Sequence, residues 1–111
     1  RVPDRDEERG ENMIPVMPMA ALAEGEMAAP RVGAEDVLIA NVHGQYYAVS
    51  NRCTHAGRPL SGGILRGYEL TCPAHGATFD VRTGAPVSAP AETGLKRFAV
   101  ALEAGKINLI I

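Results

Sequence analysis

The sequence has no long apolar run and no excess of positive charge, and both absences narrow what the chain can do. No segment approaches the ~18 consecutive apolar residues that a membrane helix requires, so we expect no membrane partner. Eleven Lys and Arg residues against 13 Asp and Glu give a formal net charge of −2, which argues against nucleic acid as a partner. The 111 residues suffice for one domain with a modest core, and they exclude a large enzyme with its own catalytic domain.

The beginning of the chain lacks the features of a secretory signal. A signal needs a positive start followed by a continuous apolar stretch. Residues 1–12 instead carry more acidic than basic side chains, and the apolar stretch Met13–Ala23 is interrupted by Pro15 and Pro18. We therefore expect residues 1–12 to be a charged flexible leader, residues 13–111 to be the single folded domain, and the protein to be cytoplasmic.

Apolar residues recur mostly with a period of two, which predicts an all-β protein. Asp36–Val42 and Gln45–Ser50 are separated only by His43-Gly44, a hairpin signal because Gly accepts the positive φ of a tight turn. A second hairpin is predicted near the C-terminus, where the alternating residues of 98–102 and 107–111 should place one face in the core. Five shorter strands are predicted at residues 14–17, 27–32, 64–65, 68–71 and 77–81, and a brief helix at 19–23. Many short strands favour a sandwich or a barrel.

The middle of the chain interrupts this pattern. Residues 51–90 are rich in Gly and Pro, which indicates a loop-built subdomain carried on the β base. Functional groups usually lie on such loops.

Both cysteines and two of the three histidines lie within this subdomain. Cys53-Thr54-His55 is followed, after sixteen residues, by Cys72-Pro73-Ala74-His75. Each half offers one thiolate and one imidazole, and a glycine follows each half closely. Two such loops can converge on one metal centre from opposite sides.

Three interpretations of these four residues compete. The first is that they are scattered, or that the cysteines form a disulfide, which a reducing cytosol disfavours. The second is a structural zinc site in a binding module, but such sites usually place a Cys pair in one half and a His pair in the other. The third is an iron–sulfur cluster in which two His replace two Cys on one iron, and mixed halves suit it because each loop then gives one ligand to each iron.

The stretches CTHAGRPLSGG and LTCPAHGATFDVRTG resemble the Rieske 2Fe–2S motif closely, and the similarity extends from about Val16 to the C-terminus. The resemblance implies an antiparallel β-sandwich or barrel base with a small cluster-binding subdomain, here about residues 51–90. It implies that Cys53 and Cys72 bind the inner iron of one cluster, and that His55 and His75 bind the outer iron. The Pro-rich segment at residues 85–91 resembles the loop that packs beside the cluster.

The sequence also departs from the high-potential Rieske proteins of respiratory complexes. Those proteins have an extra cysteine in each ligand loop, and the two form a disulfide; here Arg58 and Ala74 stand at these positions. They also have hydroxyl donors where this chain has Ala77 and Phe79. Donors to sulfur stabilise the reduced state, so their loss predicts a potential low in the Rieske range of roughly −150 to +300 mV.

The resemblance is therefore to low-potential ferredoxins that serve ring-hydroxylating oxygenases. It implies a one-electron carrier, not an enzyme, which receives electrons from a flavin-containing reductase and passes them to a terminal oxygenase. We expect a monomer. A small Rieske subunit of a reductase, such as nitrite reductase, is the alternative with the same chemistry.

The remaining residues exclude two further activities. An oxygenase also holds a mononuclear iron on two histidines and a carboxylate, but only His43 remains once the cluster takes His55 and His75. His43 itself is expected to be a solvated turn residue. No glycine-rich nucleotide loop is present, so flavin or nicotinamide must be bound by another protein.

Overall fold

The strands pair into two antiparallel sheets, which confirms the all-β prediction. The computed structural model describes residues 13–54, 59–73, 76–88 and 93–110. The large sheet contains β1 (Met13–Pro18), β2 (Met27–Ala28), β3 (Arg31–Val32), β4 (Glu35–Val42), β5 (Gln45–Ser50), β10 (Arg97–Glu103) and β11 (Lys106–Ile110). The small sheet contains β6 (Ile64–Arg66), β7 (Glu69–Thr71), β8 (Thr78–Asp80) and β9 (Pro86–Ser88). In the part of the chain that the structure describes, no helix is long and apolar enough to cross a membrane.

The large sheet has the strand order β1-β11-β10-β5-β4-β2, with β3 also paired to β4. Both predicted hairpins are present, β4 with β5 and β10 with β11. Their two-residue turns have positive φ at both positions, 54° and 81° at His43-Gly44 and 56° and 73° at Ala104-Gly105. These angles match the twist of the flanking strands, and so they fix the register of each hairpin.

Strand β4 separates two apolar clusters, which explains why its sequence is apolar almost throughout. Leu38, Ala40 and Val42 face one cluster, whereas Val37 and Ile39 face the other. The first cluster fills the space between the large sheet and the small sheet, with Leu70 and Phe79 from the small sheet. The small sheet thus packs on one face of the large sheet.

Several strand predictions were wrong in detail. The strand predicted at residues 27–32 is two short strands, because Pro30 lies between β2 and β3 and has no amide hydrogen to donate. The brief helix at 19–23 is a 3-10 turn, Met19–Ala21. In β10, Phe98 is buried but Leu102 is half exposed, so the core ends before the hairpin does.

The Pro-rich segment after Gly84 also differs from the prediction. It was predicted as a loop, yet Pro86–Ser88 pairs with β8 as the edge strand β9. Proline is tolerated at a sheet edge because one side of an edge strand needs no pairing. Residues 89–92 lie outside the described residues.

Candidate metal centre

The two cysteines lie in one buried apolar cluster. Cys53 and Cys72 are each 2% exposed, and both belong to the cluster between the two sheets. Both are thiols rather than halves of a disulfide. The fold therefore brings together two sulfur donors that are nineteen positions apart in the sequence.

Cys53 is the first residue inside a loop whose mouth is closed by main-chain contacts. Arg52 and Pro59 form an isolated antiparallel bridge across the mouth. The neighbouring residues Asn51 and Leu60 are also joined, because the Leu60 N–H donates to the Asn51 carbonyl oxygen at 2.8 Å. Residues 53–58, which include the predicted ligands Cys53 and His55, are called the first ligand loop below, and the residues that flank this segment are fixed to each other.

Cys72 begins the second ligand loop, residues 72–77, which connects β7 to β8. The strands pair as far as Thr71 and Thr78, and the Cys72 N–H then donates to the Ala77 carbonyl oxygen at 2.7 Å. The Gly76 N–H donates to the Cys72 carbonyl oxygen at 3.2 Å, with Gly76 at φ 75°. This positive φ favours glycine, which explains the glycine directly after the predicted ligand His75.

The segment that follows the first ligand loop and the strand that precedes the second are held against each other by a backbone contact. A Cβ atom added to Gly63, which follows the first loop, would overlap the carbonyl oxygen of Thr71, directly before Cys72. A Cβ added to the preceding Gly62 would meet only the Pro73 ring, at 3.8 Å. Glycine at position 63 thus allows the chain after the first loop to pack on the start of the second.

A third segment closes the site from another side. The Thr54 hydroxyl donates to the Thr93 carbonyl oxygen at 2.6 Å, and the Leu95 N–H donates to the Gly84 carbonyl oxygen at 2.7 Å. Leu95 is buried in the same cluster as the cysteines. Sequence reasoning missed Thr54 as a link between these loops; no pattern in the sequence pairs residues 39 positions apart.

The two predicted histidine ligands are not among the residues that the structure describes. His55 and His75 lie outside the described residues, as do Arg58 and Ala74. Among the residues that are described, no group of three or more His, Cys, Asp or Glu side chains is arranged to hold a metal ion. Their role as ligands therefore remains a prediction.

His43 lies where the sequence predicts it, in the turn between β4 and β5. Its side chain is exposed, and Nδ1 lies 3.2 Å from Oε1 of Glu24. Its ring also makes an edge contact with the Tyr68 ring, with 6.1 Å between centroids. His43 is therefore a surface residue of the turn, as the sequence predicts.

The side chains around the cysteines are mostly apolar. Ala77 and Phe79, where respiratory relatives are expected to have hydroxyl groups, are fully buried in the cluster with Cys53 and Cys72. The nearest hydroxyls along β7 and β8, Thr71 and Thr78, lie 3.2 Å from each other.

An ion pair stabilises the end of the small sheet. The Asp80 carboxylate accepts hydrogen bonds from the Arg82 side chain, which hold the pKa of Asp80 below its ordinary value. The Arg82 guanidinium also stacks on the Tyr68 ring at 4.0 Å. The pair fixes the turn that leaves β8.

The donor set fits an iron–sulfur cluster. Two buried thiols lie at the first positions of two loops that pack together, and each loop contains one histidine in the sequence. Thiolate sulfur is the ligand that such clusters require from the protein.

Comparison with known proteins supports this interpretation. The ferredoxin component of a naphthalene 1,2-dioxygenase system from Pseudomonas aeruginosa is 32% identical over 99 residues, 89% of this chain and 95% of that protein. A ferredoxin from Sphingomonas yanoikuyae B1 superimposes with a TM-score of 0.86 at 29% identity, over 90% of this chain and 99% of that one. A chain in the complex of reduced oxygenase and oxidized ferredoxin in carbazole 1,9a-dioxygenase gives a TM-score of 0.84 at 33% identity, over 89% of this chain and 93% of that one.

The family assignment rests on most of the sequence. The model of the Rieske 2Fe–2S domain matches residues 12–99, which include both cysteines and all three histidines. Membership implies a Rieske 2Fe–2S cluster as the cofactor. The chain belongs to the Rieske 2Fe–2S domain family, and several of its relatives are ferredoxin components of dioxygenase systems.

Proposed function

We propose that this protein is a one-electron carrier that receives electrons from a flavin-containing reductase and passes them to a terminal oxygenase of the ring-hydroxylating type. The observation that carries the proposal is the pair of buried thiols, Cys53 and Cys72, at the first positions of two converging loops in a Rieske-family chain. Relatives named as ferredoxin components of dioxygenase systems support it. So does the complex of a ferredoxin with its oxygenase in carbazole 1,9a-dioxygenase.

The cluster would be held by four side chains. Cys53 and Cys72 would bind the inner iron, and His55 and His75 the outer iron. When bound, the cluster accepts and releases a single electron. The protein itself makes and breaks no covalent bond of a substrate.

The described residues give the site a fixed and apolar surrounding. Leu60, Leu70 and Phe79 are fully buried beside the cysteines, and they exclude water from the sulfur side. The main-chain hydrogen bonds at Asn51–Leu60 and Cys72–Ala77 fix both loops before any electron arrives. A scaffold that is already organised needs little rearrangement when the charge of the site changes.

The remaining proposals concern organisation and location. The folded domain is residues 13–111, residues 51–90 form the cluster-binding subdomain, and residues 1–12, a leader, lie outside the described residues. The protein is a monomer of the cytoplasm. A small subunit of a nitrite reductase is less well supported, because the relatives named above are separate ferredoxin components.

Metal analysis and spectroscopy test the proposal. Purified protein should be reddish-brown, contain equal amounts of iron and acid-labile sulfide, and give an EPR signal only after reduction. His55→Ala and His75→Ala should each abolish the Rieske-type spectrum. His43→Ala is the matched control and should keep it, because His43 lies in an exposed turn.

Three results would contradict parts of the proposal. A colourless protein that holds one zinc ion would overturn the electron carrier in favour of a zinc-stabilised module. Loss of the spectrum in His43→Ala would show that the ligand set is wrong. A reduced protein that fails to reoxidise when a ring-hydroxylating oxygenase is added would remove the proposed acceptor.

A further inference from the structure

Three asparagines are buried in the part of the chain that the structure describes, and one of these three lies beside the predicted metal centre. Among the described residues, the buried polar side chains are Asn41, Asn51 and Asn108, at 5%, 9% and 5% exposure. Asn41 bonds to Leu22 and Gly44, and Asn108 bonds to Ala101 and Lys106, all within or beside the large sheet. Asn51 alone bonds across the mouth of a ligand loop.

Asn51 joins the large sheet to the segment that follows the first ligand loop. Its main-chain N–H donates to the Asp36 carbonyl oxygen at 2.9 Å, and its own carbonyl oxygen accepts from the Leu60 N–H at 2.8 Å. Its side-chain Oδ1 accepts from the Ser61 N–H at 2.9 Å, and Nδ2 donates to Ser61 Oγ at 3.4 Å. One residue therefore makes four hydrogen bonds, three of them to Leu60 and Ser61.

The 3-10 turn Leu60–Gly62 needs these bonds. The first N–H groups of a helical turn have no partner within the turn. A side chain at the N-cap usually accepts one of them, but the residue there is Pro59 and makes no such bond. Asn51 supplies both acceptors, for the Leu60 N–H nine positions later and for the Ser61 N–H ten positions later, so it caps the turn from outside it.

The 3-10 turn also contacts the residue that precedes the second ligand loop. Leu60 is fully buried in the cluster that contains Cys53 and Cys72. Gly63, at the end of the turn, packs directly on the carbonyl of Thr71, which precedes Cys72. A continuous path of contacts therefore runs from the large sheet through Asn51 and the turn to the second loop.

We propose that Asn51 is a positioning residue for the metal centre: its carboxamide fixes the mouth of the first ligand loop and, through residues 60–63, the placement of that loop against the second. Asn51 touches no cluster ligand directly in this role. The inference rests on the proposed function, because it concerns the residues that hold the cluster.

The buried asparagines provide matched variants for the test. Asn51→Ala, Asn41→Ala and Asn108→Ala each remove a buried carboxamide, and their thermal unfolding measures the general cost of that change. The specific readouts are the rate at which visible absorption is lost to an iron chelator under native conditions and the EPR g-values of the reduced protein. We expect Asn51→Ala to lose its cluster about fivefold faster than the other two, the factor that one net hydrogen bond represents, and to shift the g-values. Asn41→Ala and Asn108→Ala should keep the wild-type values.

A conservative variant separates positioning from simple burial. Asn51→Asp keeps an oxygen that accepts from the Ser61 N–H. We therefore expect this variant to lose its cluster almost as slowly as the wild-type protein. If Asn51→Ala does not fold, hydrogen exchange of the wild-type segment 59–63 replaces it: the Ser61 amide should be protected although Ser61 is exposed.

The outcomes distinguish the two proposals. If wild-type protein contains no iron and sulfide, the proposed function fails. If the wild-type cluster is present and Asn51→Ala loses it no faster than Asn108→Ala, or if the Ser61 amide exchanges freely, the positioning role of Asn51 is overturned and the proposed function stands.

Discussion

The two sheets of this protein are stabilised in different ways. The centre of the large sheet has long strands, with eight residues in β4 and seven in β10, and two-residue turns join β4 to β5 and β10 to β11. All four strands of the small sheet have three residues. A strand of three residues forms few ladder hydrogen bonds, and short strands are marginal without packing from other elements.

The small sheet compensates by close contacts between backbones and by its shared core. Gly63 packs on Thr71, Gly84 packs on Leu95, and the cysteines lie in the same apolar cluster as Leu70 and Phe79. A metal site contributes its binding free energy to the fold that forms it. The large sheet is therefore organised by its own sequence, whereas the small sheet relies on packing against the loops beside it, to which a bound cluster would add its binding free energy.

Truncating one leucine in each sheet is expected to have the largest effect and to separate the two regions. Leu70 in β7 and Leu109 in β11 are both fully buried. Leu70→Ala and Leu109→Ala should each lower the free energy of unfolding by about 2–5 kcal/mol, measured by urea denaturation. Only Leu70→Ala should also accelerate cluster loss to a chelator under native conditions. Equal rates of cluster loss in the two variants would show that the sheets act as one unit.

Adding one methyl group between the ligand loops is expected to have the next largest effect. Gly63→Ala would place a Cβ on the Thr71 carbonyl oxygen, so we expect a loss of about 1–3 kcal/mol in unfolding free energy, together with a lower iron content. Gly62→Ala is the neighbouring control, with only an ordinary contact to Pro73. If both variants behave alike in thermal unfolding and iron analysis, the close approach of the loops is not what holds the site.

Restoring a hydroxyl beside the cysteines is expected to have the smallest effect. Phe79→Tyr places a hydroxyl donor in the apolar side-chain cluster that contains Cys53 and Cys72. A hydrogen-bond donor to sulfur stabilises the reduced state of the iron–sulfur cluster. A hydrogen bond of about 1 kcal/mol corresponds to a rise of about 40 mV in a one-electron potential, measured by a redox titration. Phe98→Tyr, in the other apolar cluster, should leave the potential unchanged. An unchanged or lower potential in Phe79→Tyr would count against the hydroxyl argument.

The difference between the large sheet and the small sheet explains how much of the structure was predictable from the sequence. The hairpin β4–β5 follows from its alternation and from His43-Gly44, and its predicted strands differ from the observed ones by one residue at most. The positions of the two cysteines in one site follow from the spacing of the motif. The contacts of Asn51 with Ser61 and of Thr54 with Thr93 were not predictable, because they join loops whose paths depend on tertiary packing. Strand β9 was missed because proline weakens the strand pattern, although an edge position tolerates it.

The lateral borders of the large sheet have a consequence for how these molecules behave at high concentration. Along the described residues, one border is β1, where Pro15 and Pro18 lack amide hydrogens and the register shifts between Pro15 and Met17. The opposite border is formed by β2 and β3, each only two residues long. An intermolecular sheet needs an uninterrupted row of donors and acceptors, and neither border offers one. We therefore expect that neighbouring copies do not extend the large sheet at either border, even at high protein concentration.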